Sequence, residues 1–143
     1  MKISIGNKRL DDKPVSEEKK GSYFKDLSFR TGDVRNSDFK QIIGQGCTIT
    51  YLFKDNVFNR SNSYMCNNYV GTQFICVDVD ECDIKPLDFV ENIRYKPSIM
   101  HTTFSNLTAR KNYKYCYHLV YFFDGIIYGE DDFNMVFHML TED

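Results

Sequence analysis

Residues 72–80, TQFICVDVD, constrain this chain more than any other segment. β-Branched and aromatic residues fill the run, neither Gly nor Pro interrupts it, and it ends abruptly in acids. That composition predicts an extended strand. Successive side chains of a strand point to opposite faces. Asp78 and Asp80 therefore share a face with Phe74 and Cys76, while Ile75, Val77 and Val79 point into a core.

A second run of the same kind, residues 115–123 (YCYHLVYFF), predicts a second strand. Its bulky face is Tyr115, Tyr117, Leu119 and Tyr121. Its other face carries Lys114, Cys116, His118 and Val120. Asp124-Gly125 then reads as a turn. Shorter strands are expected at residues 2–5 (KISI), 47–54 (CTITYLFK) and 98–104 (SIMHTTF). Helical spacing of apolar residues predicts helices over 33–43, with Gly44 and Gly46 as stop signals, and over 129–143. A short helix over 88–95 follows Pro86. Residues 11–22 read as a loop or a frayed helix, and 56–71 and 105–112 as loops. Strands in pairs with helices between them predict an α+β domain on a mostly antiparallel sheet.

With 143 residues, 42% of them hydrophobic and 15% aromatic, the chain can bury one modest core. The many tyrosines are expected at half-buried positions, with the ring packed and the hydroxyl in water. A net charge of −2 with both signs interspersed argues against a dedicated basic nucleic-acid module, though an acidic metal site offsets local basic residues. Five cysteines without CxxC spacing read as small buried hydrophobes of a reducing cytoplasm, not as a zinc site. The opening residues are too short and polar a stretch for a signal peptide, and no run approaches a membrane span.

Two carboxylates two residues apart on one strand resist joint ionisation unless a cation lies between them. A divalent ion such as Mg²⁺ accepts one or two carboxylates and completes its shell with water and substrate phosphates. The other reading of such a strand end is a solvated acidic turn continued by Glu81 and Asp83. Lys114 and His118, directed alike, make a clamp for phosphate oxygens, the lysine as a point charge and the histidine as a donor. The competing reading is an ordinary sheet surface.

Taken together, VDVD, TTFS and KYCYHLVYFFD resemble the first two motifs of the archaeo-eukaryotic primase superfamily, over roughly residues 70–125. Members of that family end a hydrophobic strand in D-x-D or D-x-E and carry Lys, a small polar residue and His on a later strand. Similar arrangements occur in replication proteins of mobile elements and phages. The resemblance implies an RRM-like, mostly antiparallel sheet flanked by helices, with residues 1–143 as a single domain, the front portion of the catalytic core. It implies a metal-dependent nucleotidyltransferase for primer synthesis and DNA replication. Asp78 and Asp80 would hold Mg²⁺ or Mn²⁺, and Lys114 and His118 would contact the triphosphate, with help from Ser105. Arg110 and Lys111, with Arg94 and Lys96, would meet a single-stranded DNA template, and Tyr95 or Tyr113 would offer a stacking face. A helicase or another replication protein is the expected partner, and no membrane is.

Two departures stand out. Cys116 occupies the position of the small hydroxyl residue, and the third acidic motif has no clear counterpart; Asp124, Asp131 and Asp132 stand in only by default. Metal–nucleotide binding is therefore expected to outlast catalysis. Two other classes fit the same residues: a catalytically incomplete module that binds nucleotide, single strands or a replication partner, and a metal-dependent nuclease or phosphotransferase. His101 reads as a strand residue near the site rather than a ligand, and His138 lies near a helix C-terminus, where a cation is mildly favoured.

Overall fold

The computed structural model describes residues 1–9, 27–54 and 69–142. The expected loop at 11–22 and most of that at 56–71 lie outside them. The element order is β1 (Lys2–Arg9), β2 (Phe29–Asp33), α1 (Asn36–Gly44), β3 (Cys47–Thr50), β4 (Leu52–Phe53), β5 (Tyr69–Cys82), α2 (Pro86–Asn92), β6 (Ile99–Thr102), β7 (Tyr115–Tyr128) and α3 (Glu130–Thr141). A 3₁₀ turn, Ala109–Lys111, lies in the loop before β7. The class is α+β with mostly antiparallel sheets. No helix among the described residues is long and apolar enough to cross a membrane.

The residues fall into two compact units, Met1–Gln73 with Asp124–Asp132, and Phe74–Phe123 with Phe133–Asp143. In the first, β1 is the centre of a three-stranded sheet of order β2-β1-β3, antiparallel on both sides, with Ile3 fully buried. The strand β2 was not expected; the helix predicted over 33–43 begins three residues later because Asp33 pairs with Lys2. Gly46, at φ 73°, makes the left-handed turn that follows α1. The expected 47–54 strand is broken at Tyr51 into β3 and β4, which join different sheets.

Asp124-Gly125 is not a turn. The strand continues to Tyr128 because its later half is held to the start of β5: Gln73 Nε2 donates to Asp124 O at 3.1 Å, and Tyr69 Oη donates to Ile127 O at 2.9 Å. The two backbones come so close that a Cβ on Gly71 would stand 3.0 Å from Ile127 O and 2.6 Å from Ile126 Cγ2. Gly129, at φ 75°, supplies the turn instead.

In the second unit β7 lies between β5 and β6, with β6 antiparallel to it in the register Ile99↔Val120 to Thr102↔Tyr117. The expected faces of β7 hold. Tyr117, Leu119 and Tyr121 form a core packed by Val77, Val79, Phe89, Val90 and Leu140. Pro86 stands in the first turn of α2, and the helix ends where Lys96 donates its ammonium to the carbonyls of Val90, Glu91 and Ile93 at 2.7–3.0 Å. The wet-hydroxyl expectation fails for Tyr121, which is 5% exposed, its hydroxyl without a hydrogen-bond partner among the described residues. Burying the ring of a central strand carries its hydroxyl along.

Candidate functional site

On β5, burial falls off toward the acids. Phe74 and Ile75 are buried, whereas Asp78, Asp80 and Glu81 are exposed. The rigid apolar half of the strand thus anchors an acid-bearing tip. At Glu81 the backbone turns to φ 54°. This left-handed residue breaks the two-residue alternation, so Glu81 joins Asp80 on one cation while Cys82 packs against the core with Val77 and Val79.

The Lys–His face of β7 lies beside that tip. His118 Nε2 is 3.3 Å from Asp78 Oδ1, and Lys114 Nζ is 3.0 Å from Asp83 Oδ2. Contacts descend β7 as they climb β5, as antiparallel neighbours require. Burial works against a charge on His118, but Asp78 and the Cys76 sulfur outweigh it and push the imidazole up to about 10. His101 stands directly across from His118 on β6, with the ring centroids 4.9 Å apart at 85°. Burial and the neighbouring His118 charge hold His101 below the ordinary imidazole range, against the pull of the Thr102 carbonyl. The pair therefore divides into one cationic and one neutral ring.

The loop from Thr103 to Lys114 covers the face between His118 and Lys114. Cys116 is fully buried beneath it, its N–H donating to Asn106 Oδ1 at 3.0 Å. Burial, first, and the adjacent Asp80 push its thiol up. Ser105 is 1% exposed, and its hydroxyl accepts from Arg110 Nη2 at 2.8 Å. Lys111 donates to Asp80 and, at 3.1 Å, to Glu81. The hydrogen bonds it donates to Asp80 and then Glu81 raise the Lys111 ammonium further.

Of the residues singled out in the sequence, the structure gathers Asp78, Asp80, Lys111, Lys114 and His118 on one surface. Within the loop it pairs the exposed Arg110 with the buried Ser105. Two template candidates have internal duties: Lys96 caps α2, and Arg94 lies over the Tyr95 ring at 5.0 Å. Tyr113 stands 69% exposed. Asp124, Asp131 and Asp132 belong to the other unit. His101 lies on a strand near the site, as the sequence suggested, but its partner His118 depends on strand register, while Glu81 and Asp83 read only as a continued acidic turn. His138 lies in the last turn of α3, 3.9 Å from Glu142.

Could these residues hold a divalent cation? Asp78, Asp80 and Glu81 are hard oxygen donors open to solvent, and an ammonium already stands between two of them, so the donor chemistry fits. Among the described residues no group of three or more His, Cys, Asp or Glu is gathered tightly enough to bind a metal. Phosphate oxygens and water would have to complete the shell. The chain matches no protein-family model, no curated protein and no solved structure.

Proposed function

We propose that the surface around Asp78, Asp80 and His118 binds a nucleoside triphosphate with Mg²⁺ or Mn²⁺ and serves nucleotidyl transfer of the primase-polymerase type on a single-stranded DNA template. The observation that carries this reading is the meeting of Asp78 and His118, 3.3 Å apart across two neighbouring strands, one acid-tipped and one bearing Lys and His. Two motifs that are separate in sequence thereby form one surface, with anion-binding and cation-binding groups side by side.

Asp78 and Asp80, with Glu81 beside them, would hold the cation. Such an ion shields the phosphates and lowers the barrier to attack by a hydroxyl. His118, kept charged by Asp78, donates to phosphate oxygens. Lys114 adds a point charge after leaving the exposed Asp83, a pair held weakly in water. His101, neutral, packs the His118 ring in place. The chain's work is positioning and charge stabilisation, which is most of what phosphoryl transfer asks of a protein.

A second reading, a module that binds nucleotide without turning it over, is favoured by the sparse metal donor set. Incubation with primed and unprimed single-stranded templates, labelled nucleotides and Mn²⁺, beside an Asp78→Asn control, separates the readings. Product that vanishes in the control supports the polymerase. Nucleotide binding without product leaves the binding module. Template cleavage without any nucleotide requirement would establish a nuclease instead.

A further inference from the structure

The two histidines that face each other across β6 and β7 differ in what their ring nitrogens meet. His118 Nε2 lies 3.3 Å from Asp78 Oδ1, with its side chain 32% exposed. His101, level with it in the register, places Nδ1 3.2 Å from Thr102 O. A carbonyl only accepts, so Nδ1 carries the ring proton and Nε2 a bare lone pair. That Nε2 has no hydrogen-bond partner among the described residues. The helices lie on the opposite face of the sheet, where Phe89, Val90 and Leu140 pack against the Tyr117–Leu119–Tyr121 core. The cations of the covering loop are engaged elsewhere, Arg110 with Ser105, Lys111 with Asp80 and Glu81, and Lys114 with Asp83. From β5, Asp78 and Cys76 reach His118. Among the described residues, the charge acting on the His101 ring is therefore that of His118. One carboxylate, itself 65% exposed, serves a pair of imidazoles.

Resting on the nucleotide site proposed above, we infer that His101 is a second phosphate-binding residue of that site, and that a polyphosphate binds there together with a proton. In the free protein two imidazolium rings with centroids 4.9 Å apart would repel. The ring without a carboxylate therefore stays neutral and packs beside the other. A polyanion at the pair reverses that balance. Its charge cancels the repulsion, and a proton taken from solvent onto His101 Nε2 turns a bare lone pair into a charge-assisted donor. Linkage fixes the sign: the anion favours the proton, so the proton favours the anion equally. Burial and then His118 hold free His101 below the ordinary imidazole range, so the free protein lacks this proton at neutral pH and the complex carries it. Affinity for phosphates accordingly rises as pH falls, by up to about tenfold per pH unit while the proton is being taken up.

The test is calorimetric titration with tripolyphosphate, without metal, near pH 7 in two buffers of different ionisation enthalpy, for the wild-type chain and His101→Gln. Glutamine keeps a polar side chain and does not titrate, and protons exchanged by the ligand itself change alike in both proteins. Wild type is expected to take up about one proton more per ligand than His101→Gln, and to gain about threefold or more over the variant in affinity as pH falls by about one unit. Equal proton uptake by the two proteins overturns the role of His101 while leaving the phosphate site standing. No binding of tripolyphosphate by either protein overturns the site and the inference together. Should His101→Gln fail to fold, the ring ¹⁵N resonances of His101 in the wild-type protein decide. Nε2 must pass from bare to protonated nitrogen as tripolyphosphate is added, and an Nε2 that stays bare while the ligand binds overturns the inference.

Discussion

His118 and Asp78 lie on neighbouring strands with Nε2 and Oδ1 3.3 Å apart, and the pairing keeps an imidazole charged that burial alone would neutralise. The sign of its pH dependence follows. A histidine whose folded value exceeds its unfolded one stabilises the fold fully below the unfolded value, about 6.5. That contribution is lost as pH rises through the folded value, about 10. Denaturant unfolding of wild type and His118→Gln should therefore differ most near pH 6 and converge toward pH 10. The carboxylate is largely exposed, so the difference should not exceed about 1 kcal/mol. A gap that widens with rising pH would contradict the pairing.

Lys114 reaches only an exposed acid, Asp83. Lys114→Ala should leave the unfolding midpoint within about 0.5 kcal/mol of wild type. It should weaken nucleoside triphosphate binding, read by calorimetry, by about tenfold through loss of a charge-assisted contact. Unchanged nucleotide affinity would remove Lys114 from the site.

Tyr113 combines a 69% exposed ring with a left-handed backbone. Glycine adopts that backbone freely, so Tyr113→Gly removes the ring while relaxing the loop. Thermal stability should hold or rise. Binding of a single-stranded oligonucleotide, followed by fluorescence anisotropy, should weaken by about 1–3 kcal/mol if a base stacks there. Full binding by this variant would place the template elsewhere.

Tyr121 hides a hydroxyl without a partner among the described residues. Tyr121→Phe removes a buried polar group and leaves the ring, so stability should stay level or rise by up to about 1 kcal/mol. A loss of that size would reveal a hydrogen bond not apparent in the structure.

Gly71 lies where a Cβ would press on Ile127 O at 3.0 Å, a backbone atom that cannot rotate away. Gly71→Val should destabilise the first unit by about 1–3 kcal/mol as the strands are forced apart. An unaltered unfolding transition would mean that the strands spread there without strain.

How much of this was legible beforehand varies with the range of the physics involved. The two long strands, their faces and the acid-bearing tip of β5 follow from composition and a period of two, both properties of adjacent residues. So does a short helix beside Pro86, a matter of one ring's fixed φ, although it spans Pro86–Asn92 rather than 88–95. The length of β7 was misjudged because Asp-Gly ordinarily favours a turn, yet pairing with β5 outweighed that local preference. β2 was missed because a short strand carrying Arg30, Gly32 and Asp33 is made by its partner β1 rather than by its own propensity.

The sequence alone determined the α+β class, the face that presents Asp78 and Asp80, and the face that presents Lys114 and His118. Tertiary structure alone decided what meets what: His118 with Asp78 and His101, and Lys111 with Asp80 and Glu81, 31 and 30 positions away. Side-chain alternation is set within each strand by covalent geometry. Register between strands, and the left-handed residues that turn Glu81 and Tyr113, are set by packing and hydrogen bonds between distant segments, which no local pattern encodes.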